Sequence, residues 1–223
     1  QNSWDDPVQP FGHGGWMIHR TADELIAGGT VEPFIVVAIA NTSRRMREYG
    51  PGASIFSLDD HAYLKFVVNE LKPRIDATYR TQPAARRTAM LGASLGGVIS
   101  LQAAMLCPEV VGMAACMSPS LQIRDESGVG YLELVNRLSK RPVKLYVDHG
   151  TGGRTGDGAE RARAFIAALR RNGWRDGVDL LCFEDSGGRH NERAWRARVH
   201  RPLTFFFGKT QSASSSAGTG GGS

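Results

Sequence analysis

An α/β fold with a mainly parallel sheet is what this sequence predicts, and three observations carry that expectation. Apolar runs of strand length alternate with stretches of helical periodicity along the chain. One run, residues 34–40, is almost purely apolar, the pattern of a strand buried on both faces. A Gly-x-Ser-x-Gly segment, Gly92-Ala93-Ser94-Leu95-Gly96, falls between such a run and a helical stretch, so a serine is presented on a strand-to-helix turn.

In chain order, residues 1–20 read as an ordered loop rich in Gly, Pro, Asp and aromatics. Residues 21–27 read as a short helix, with Thr21 and Glu24 as a capping box and Gly28-Gly29 as its stop. The strand at 34–40 is bounded by Pro33 and a polar loop, and a helix over 58–71 is closed by Pro73. Strand 88–93, helix 95–106, strand 110–117, helix 131–138 and strand 143–147 follow. An Ala/Arg-rich helix over 158–171 stops at Gly173, and the last strand, 178–183, leads through the loop 184–189 to a terminal helix from about residue 191. Residues 1–207 form one domain in this reading. Residues 208–223 are Ser, Gly, Ala and Thr with almost nothing apolar, a disordered tail or linker outside the fold.

Composition bounds the function. The chain has 223 residues, 41% hydrophobic and 22% charged, enough for one sizeable core. Its net charge of +5 comes from 27 basic and 22 acidic residues, with the arginines scattered instead of forming a stripe interleaved with aromatics, which argues against nucleic acid. No apolar stretch is long enough to span a membrane. Cys107, Cys116 and Cys182 lack metal-ligand spacing and read as buried thiols. The chain starts Gln1-Asn2-Ser3, without a methionine or signal peptide, and reads as processed or cut from a longer sequence. Oligomeric state stays open, since the Phe205-Phe206-Phe207 run can be covered within the chain or by a partner.

A serine held on a strained turn is pushed clear of the sheet, and the helix that follows aims free N–H groups at the place where an oxyanion would form. Leu95 N–H is the natural first donor. A serine hydroxyl needs a base, and the base an orienting acid. His190 follows the last strand across Ser186-Gly187-Gly188-Arg189, the position that the order nucleophile, acid, histidine requires. His13, His19, His61 and His200 read as structural or surface residues, and His149 as a neighbour of the site. Trp16, Met117, Ser118 and Ser120 are candidates to line a substrate pocket, and Arg44, Arg45 and Arg189 to meet an anionic group.

These residues resemble the esterase family of α/β hydrolases that includes esterase D and the enterochelin-esterase-like proteins. Gly92-Ala93-Ser94-Leu95-Gly96-Gly97 is similar to its nucleophile motif, and His190-Asn191-Glu192-Arg193-Ala194-Trp195 to its histidine motif. Arg45 through Glu48-Tyr49-Gly50-Pro51 and the segment Glu70 to Asp76 resemble further family segments, and the similarity runs from residue 1 to about 207. The resemblance implies an α/β-hydrolase fold and a serine carboxylic-ester hydrolase working through an acyl-enzyme on a small, aryl or siderophore-type ester, with no metal or organic cofactor. It makes Ser94 the nucleophile and His190 the general base. For the acid it points to Asp157, several residues beyond a Gly-Thr pair, with Asp148, Glu160 or a Ser-His dyad as alternatives.

One departure stands out. Family members carry a further strand just before the position of Gln1, whose end supplies a second oxyanion donor. The sheet here is expected to lack the usual N-terminal strands, and the Gln1 or Asn2 N–H is left as the candidate donor. Secreted or periplasmic placement is common among such relatives. Two other classes remain open at this stage, an acyltransferase with the same triad and a non-catalytic hydrolase-fold scaffold.

Overall fold

The computed structural model describes residues 15–209. The expected loop before residue 15, including Gln1, and the tail from residue 210 lie outside the described residues. Helices α1 (Ile18–Ala27), α2 (Arg45–Tyr49) and α3 (Ala62–Phe66) lead, through a π turn at Val67–Leu71, into α4 (Lys72–Thr78). Strand β1 (Ala89–Ala93) then opens an alternation: α5 (Leu95–Leu106), β2 (Met113–Met117), α6 (Tyr131–Arg137), β3 (Lys144–Gly150), α7 (Ala159–Arg171), β4 (Leu180–Asp185), α8 (Glu192–Arg198) and α9 (His200–Phe207).

The four strands are parallel and lie in the order β1-β2-β3-β4, with Ala89 beside Met113, Met113 beside Lys144 and Leu145 beside Leu180. Both faces are covered, and the period-2 alternation of each strand divides the core. Ala114, Cys116, Leu145 and Val147 point into one cluster with Val98, Leu101, Leu134, Phe165 and Leu169, from α5, α6 and α7. Met113, Ala115, Met117 and Tyr146 point into the other, with Ile18 of α1, Trp195 of α8 and Leu203 and Phe206 of α9. In parallel sheets ligands bind beyond the carboxyl ends of the strands. Here that edge carries Ser94 after β1, Ser118 and Ser120 after β2, and the loops to Asp157 and His190 after β3 and β4.

Four expectations need correction. The run 34–40 joins no strand: Ile35, Val36 and Val37 are 50%, 40% and 38% exposed, and a cavity of about 310 Å³ lies between that run and Ala89–Leu91 of β1. An apolar extended run becomes a strand only with a partner at about 4.8 Å, and none among the described residues occupies that place. The run is held at one end by α9 instead, through Glu32 N–H to the Phe207 carbonyl at 2.8 Å and Phe34 stacked on Phe207 at 4.6 Å. Pro73 does not close its helix. The π turn just before it widens the coil where the proline ring would meet the preceding carbonyls, and the helix runs on to Thr78. The helix expected at 21–27 begins at Ile18 with Met17 at its N-cap, so Thr21 and Glu24 lie inside it rather than forming a capping box. Strand β3 extends to Gly150, three residues past its expected end, and so includes Asp148 and His149.

The turn after β1 is set by a close approach that only glycine permits. A Cβ on Gly92 would lie 2.4 Å from the Gly96 backbone, whereas a Cβ on Gly96 would meet nothing within 4 Å. Gly92→Ala is therefore expected to lower stability by about 1–3 kcal/mol through overpacking. Gly96→Ala, inside α5, is expected to be neutral or stabilising by about 0.5–1 kcal/mol. Urea unfolding of the two variants beside the wild type checks this contrast; equal effects would refute it.

Candidate active site

Ser94 is the N-cap of α5 at φ 57 and ψ −120, a conformation an L-residue adopts only when its surroundings impose it. Its own N–H donates to the Met117 carbonyl at 3.0 Å, which ties the turn to β2. Leu95 is the first residue of the helix, where an N–H has no intrahelical acceptor, so it is free to meet an oxyanion. Gln1, the other expected donor, lies outside the described residues. The Ser94 hydroxyl is hydrogen-bonded to Ser120 Oγ at 3.0 Å.

Glycines bring the other two strand ends together. A Cβ on Gly150 would lie 2.0 Å from the Gly188 carbonyl oxygen, and one on Gly152 2.2 Å from that of Gly187. The bare backbones let the loop after β3 press against the loop after β4, where Gly152 N–H donates to the Gly188 carbonyl at 2.8 Å and Gly187 N–H to Thr151 Oγ1 at 2.8 Å. Asp157 follows at φ 50, between Gly156 and Gly158, also at positive φ. The result is a 2.5 Å hydrogen bond between His190 Nδ1 and Asp157 Oδ1. Asp157 Oδ2 accepts from Gly150 N–H at 2.6 Å and from the Ser118 hydroxyl at 2.5 Å. Burial disfavours the charge on Asp157, but the hydrogen bonds from His190, Ser118 and Gly150 outweigh it and hold the carboxyl below its ordinary range. Of the three acids considered from sequence, Asp157 is the one that meets His190. Asp148 is buried and committed to Arg198, with its Oδ2 2.9 Å from Arg198 Nε; Glu160 stands in the first turn of α7.

His190 is anchored by one nitrogen, which leaves Nε2 for a substrate or for Ser94. Its ring meets Trp195 edge to face at 5.0 Å, and Trp195 in turn contacts Trp16 at 5.8 Å. Ser94 and His190 line one cavity of about 590 Å³ with Trp16, Arg45, Tyr49, Tyr63, Arg189 and Trp195. Three of the residues expected to line it stand elsewhere. Ser118 is buried with its hydroxyl spent on Asp157, and Ser120 is buried behind Ser94. Met117 is fully buried in the core of the second face. Sequence reading passed over Arg198, which is 2% exposed. A signal for it exists: at helical spacing it falls on the same face as Trp195, among the buried residues of α8.

A four-stranded parallel sheet flanked by helices, with a strained serine at the end of β1 and a histidine after β4, is an α/β-hydrolase fold. The chain belongs to the esterase family: the family model described as "Putative esterase" matches residues 13–205. Among curated proteins it is similar to the uncharacterized protein YjcH of Bacillus subtilis, 24% identical over 82% of this chain and 74% of that one. It is also similar to an endo-1,4-beta-xylanase/feruloyl esterase of Xylanibacter ruminicola, 30% identical over 59% of this chain and 17% of the other. Among solved structures, the enterobactin esterase of Shigella flexneri superposes with a TM-score of 0.67 at 22% identity, over 82% of this chain and 46% of that one. A ferulic acid esterase superposes with a TM-score of 0.66 at 20% identity, over 86% and 77%. This chain thus spans about half the length of the enterobactin esterase.

Since the folded-state pKa of Asp157 lies below its ordinary value of 3.8, its ionisation stabilises the fold above that pH. That contribution is lost as pH falls through the depressed folded value. Asp157→Asn is expected to melt below the wild type at pH 7, with the gap narrowing below about pH 4. Thermal unfolding of both proteins from pH 7 to pH 3 checks it, and a gap independent of pH would contradict it.

Proposed function

We propose that this chain is a serine carboxylic-ester hydrolase that works through an acyl-enzyme on Ser94. The observation that carries the reading is the 2.5 Å His190–Asp157 hydrogen bond on the wall of the same cavity that holds Ser94 on its strained turn. Asp157 fixes the tautomer with the proton on Nδ1, so Nε2 is the basic nitrogen. Rotation of the Ser94 side chain away from Ser120 offers its proton to Nε2. The oxygen then attacks the ester carbonyl, and charge gathers on the carbonyl oxygen near Leu95 N–H. His190 returns the proton to the leaving alkoxide, and a water activated by the same nitrogen releases the acid. His190 is 44% exposed by side chain, so a leaving group and a water can both reach it.

The cavity favours an aryl ester bearing negative charge. Trp16, Tyr49, Tyr63 and Trp195 give it aromatic walls, and Arg45 and Arg189 face it as cations, with Glu192 the acidic residue of the lining. Arg45 also lies over the Tyr49 ring at 5.8 Å, an arrangement that holds its charge in place. The enterobactin, ferulic acid and feruloyl esterases among the similar proteins are consistent with such a substrate.

Hydrolysis of p-nitrophenyl esters by purified protein tests the reading. Ser94→Ala and His190→Ala are each expected to lower kcat by about 10⁴-fold or more. Arg45→Ala is expected to raise KM about tenfold for an aryl ester carrying a carboxylate and to leave that of its neutral counterpart within twofold, the size of one charge-assisted contact. Hydrolysis that persists in Ser94→Ala would rule out the serine mechanism.

A further inference from the structure

Behind Asp157 lies a buried polar cluster that the mechanism above does not use. Arg198 makes three contacts with one guanidinium: Nε to Asp148 Oδ2 at 2.9 Å, Nη1 to Asp185 Oδ2 at 2.8 Å and Nη2 to Ser118 Oγ at 2.6 Å. Asp148 is held in turn by Tyr146 OH at 2.8 Å and by Ser118 N–H at 2.9 Å. Trp195 Nε1 donates to the same Ser118 oxygen at 3.1 Å. Arginine and tryptophan nitrogens are donors only, so both lone pairs of the Ser118 hydroxyl are occupied by donors. Its single proton has one acceptor left, Asp157 Oδ2 at 2.5 Å.

Ser118 sits at φ 38 directly after β2, a strained position for a residue with a side chain, and is 1% exposed. The strain aims the hydroxyl across the strand ends at the carboxylate instead of into the substrate cavity. Arg198 itself stays 3.8 Å from Asp157 Oδ2, within ion-pair range but too far for a hydrogen bond.

We propose that Ser118 and Arg198 are positioning residues for the acid of the triad, Arg198 fixing the Ser118 hydroxyl and that hydroxyl fixing the rotamer of Asp157. This rests on the hydrolase reading above, in which Asp157 orients His190. Arg198 is the residue whose three contacts all need the planar fork, which lysine cannot reproduce. Ser118 is the cleaner place to test, because its removal leaves the Arg198 pairs with Asp148 and Asp185 intact.

The test is a double-mutant cycle of Ser118→Ala with Asp157→Ala, read on ester hydrolysis and on the proton resonance of His190 Nδ1–H. Ser118→Ala is expected to lower kcat about 10- to 100-fold, with KM within twofold. In the Asp157→Ala background it is expected to change kcat by less than twofold, because the group it acts through is gone. The low-field His190 proton is expected to shift or broaden in Ser118→Ala. Arg198→Lys, with its charge kept, is expected to lower kcat as Ser118→Ala does.

A rise in KM without a fall in kcat would make Ser118 a substrate contact and overturn the proposal. So would effects that multiply across the cycle, or an unchanged His190 resonance. The resonance needs no turnover, so it judges the positioning role even if the wild type hydrolyses none of the esters. That second result would count against the hydrolase reading alone.

Discussion

The Asp157 carboxylate is the point on which the rest of this site depends. Three strand ends converge on it: β2 through Ser118, β3 through Gly150 and its following loop, and β4 through His190. A buried carboxylate without partners would neutralise, because burial alone disfavours its charge. Its three donors reverse that balance, and an ionised, immobile carboxylate can hold a histidine in one tautomer. The geometry is local in space and distant in sequence, since its members span residues 118 to 190.

The backbone makes this convergence possible at the cost of strain. Ser94, Ser118 and Asp157 all have positive φ without being glycine. Ser94 and Ser118 leave their strand ends, and Asp157 the turn seven residues beyond β3, at angles that extended backbone does not give. Glycines at 92, 150 and 152 absorb the resulting close approaches, where a Cβ would sit within 2.4 Å of another backbone atom. Apart from Met17 at the N-cap of α1, the positive-φ residues other than glycine among the described residues all lie at this edge, the pattern of a site held by its scaffold.

Much of this was legible in the sequence, for identifiable reasons. The elbow was readable because its requirement is local: a glycine at 92 and a helix start at 95 lie within a few residues of the serine. The alternation from residue 88 onward was readable because hydrophobic period is a local signal, and there the expected strands and helices match to within a few residues. The run 34–40 was misread because becoming a strand depends on a neighbour, and composition cannot say whether that neighbour is present. Pro73 was misread because a π turn can accommodate it, a choice made by packing. Arg198 gave only the weak signal of its spacing from Trp195, for a related reason: a buried arginine is tolerated only where several acceptors surround it, and Asp148, Asp185 and Ser118 come from three different strand ends. Ser118 was assigned to the pocket from its place after a core strand, whereas its side chain is turned by its own φ toward the acid.

In the proposed mechanism Ser94 alone is activated as a nucleophile, which covalent capture reads out. The protein would be treated with an alkyl fluorophosphonate, and the labelled peptide located by mass spectrometry after digestion. One adduct per chain is expected, on the peptide that carries Ser94, with a rate of labelling that collapses in His190→Ala. Labelling on another serine such as Ser120, or none at all in folded protein, would contradict it.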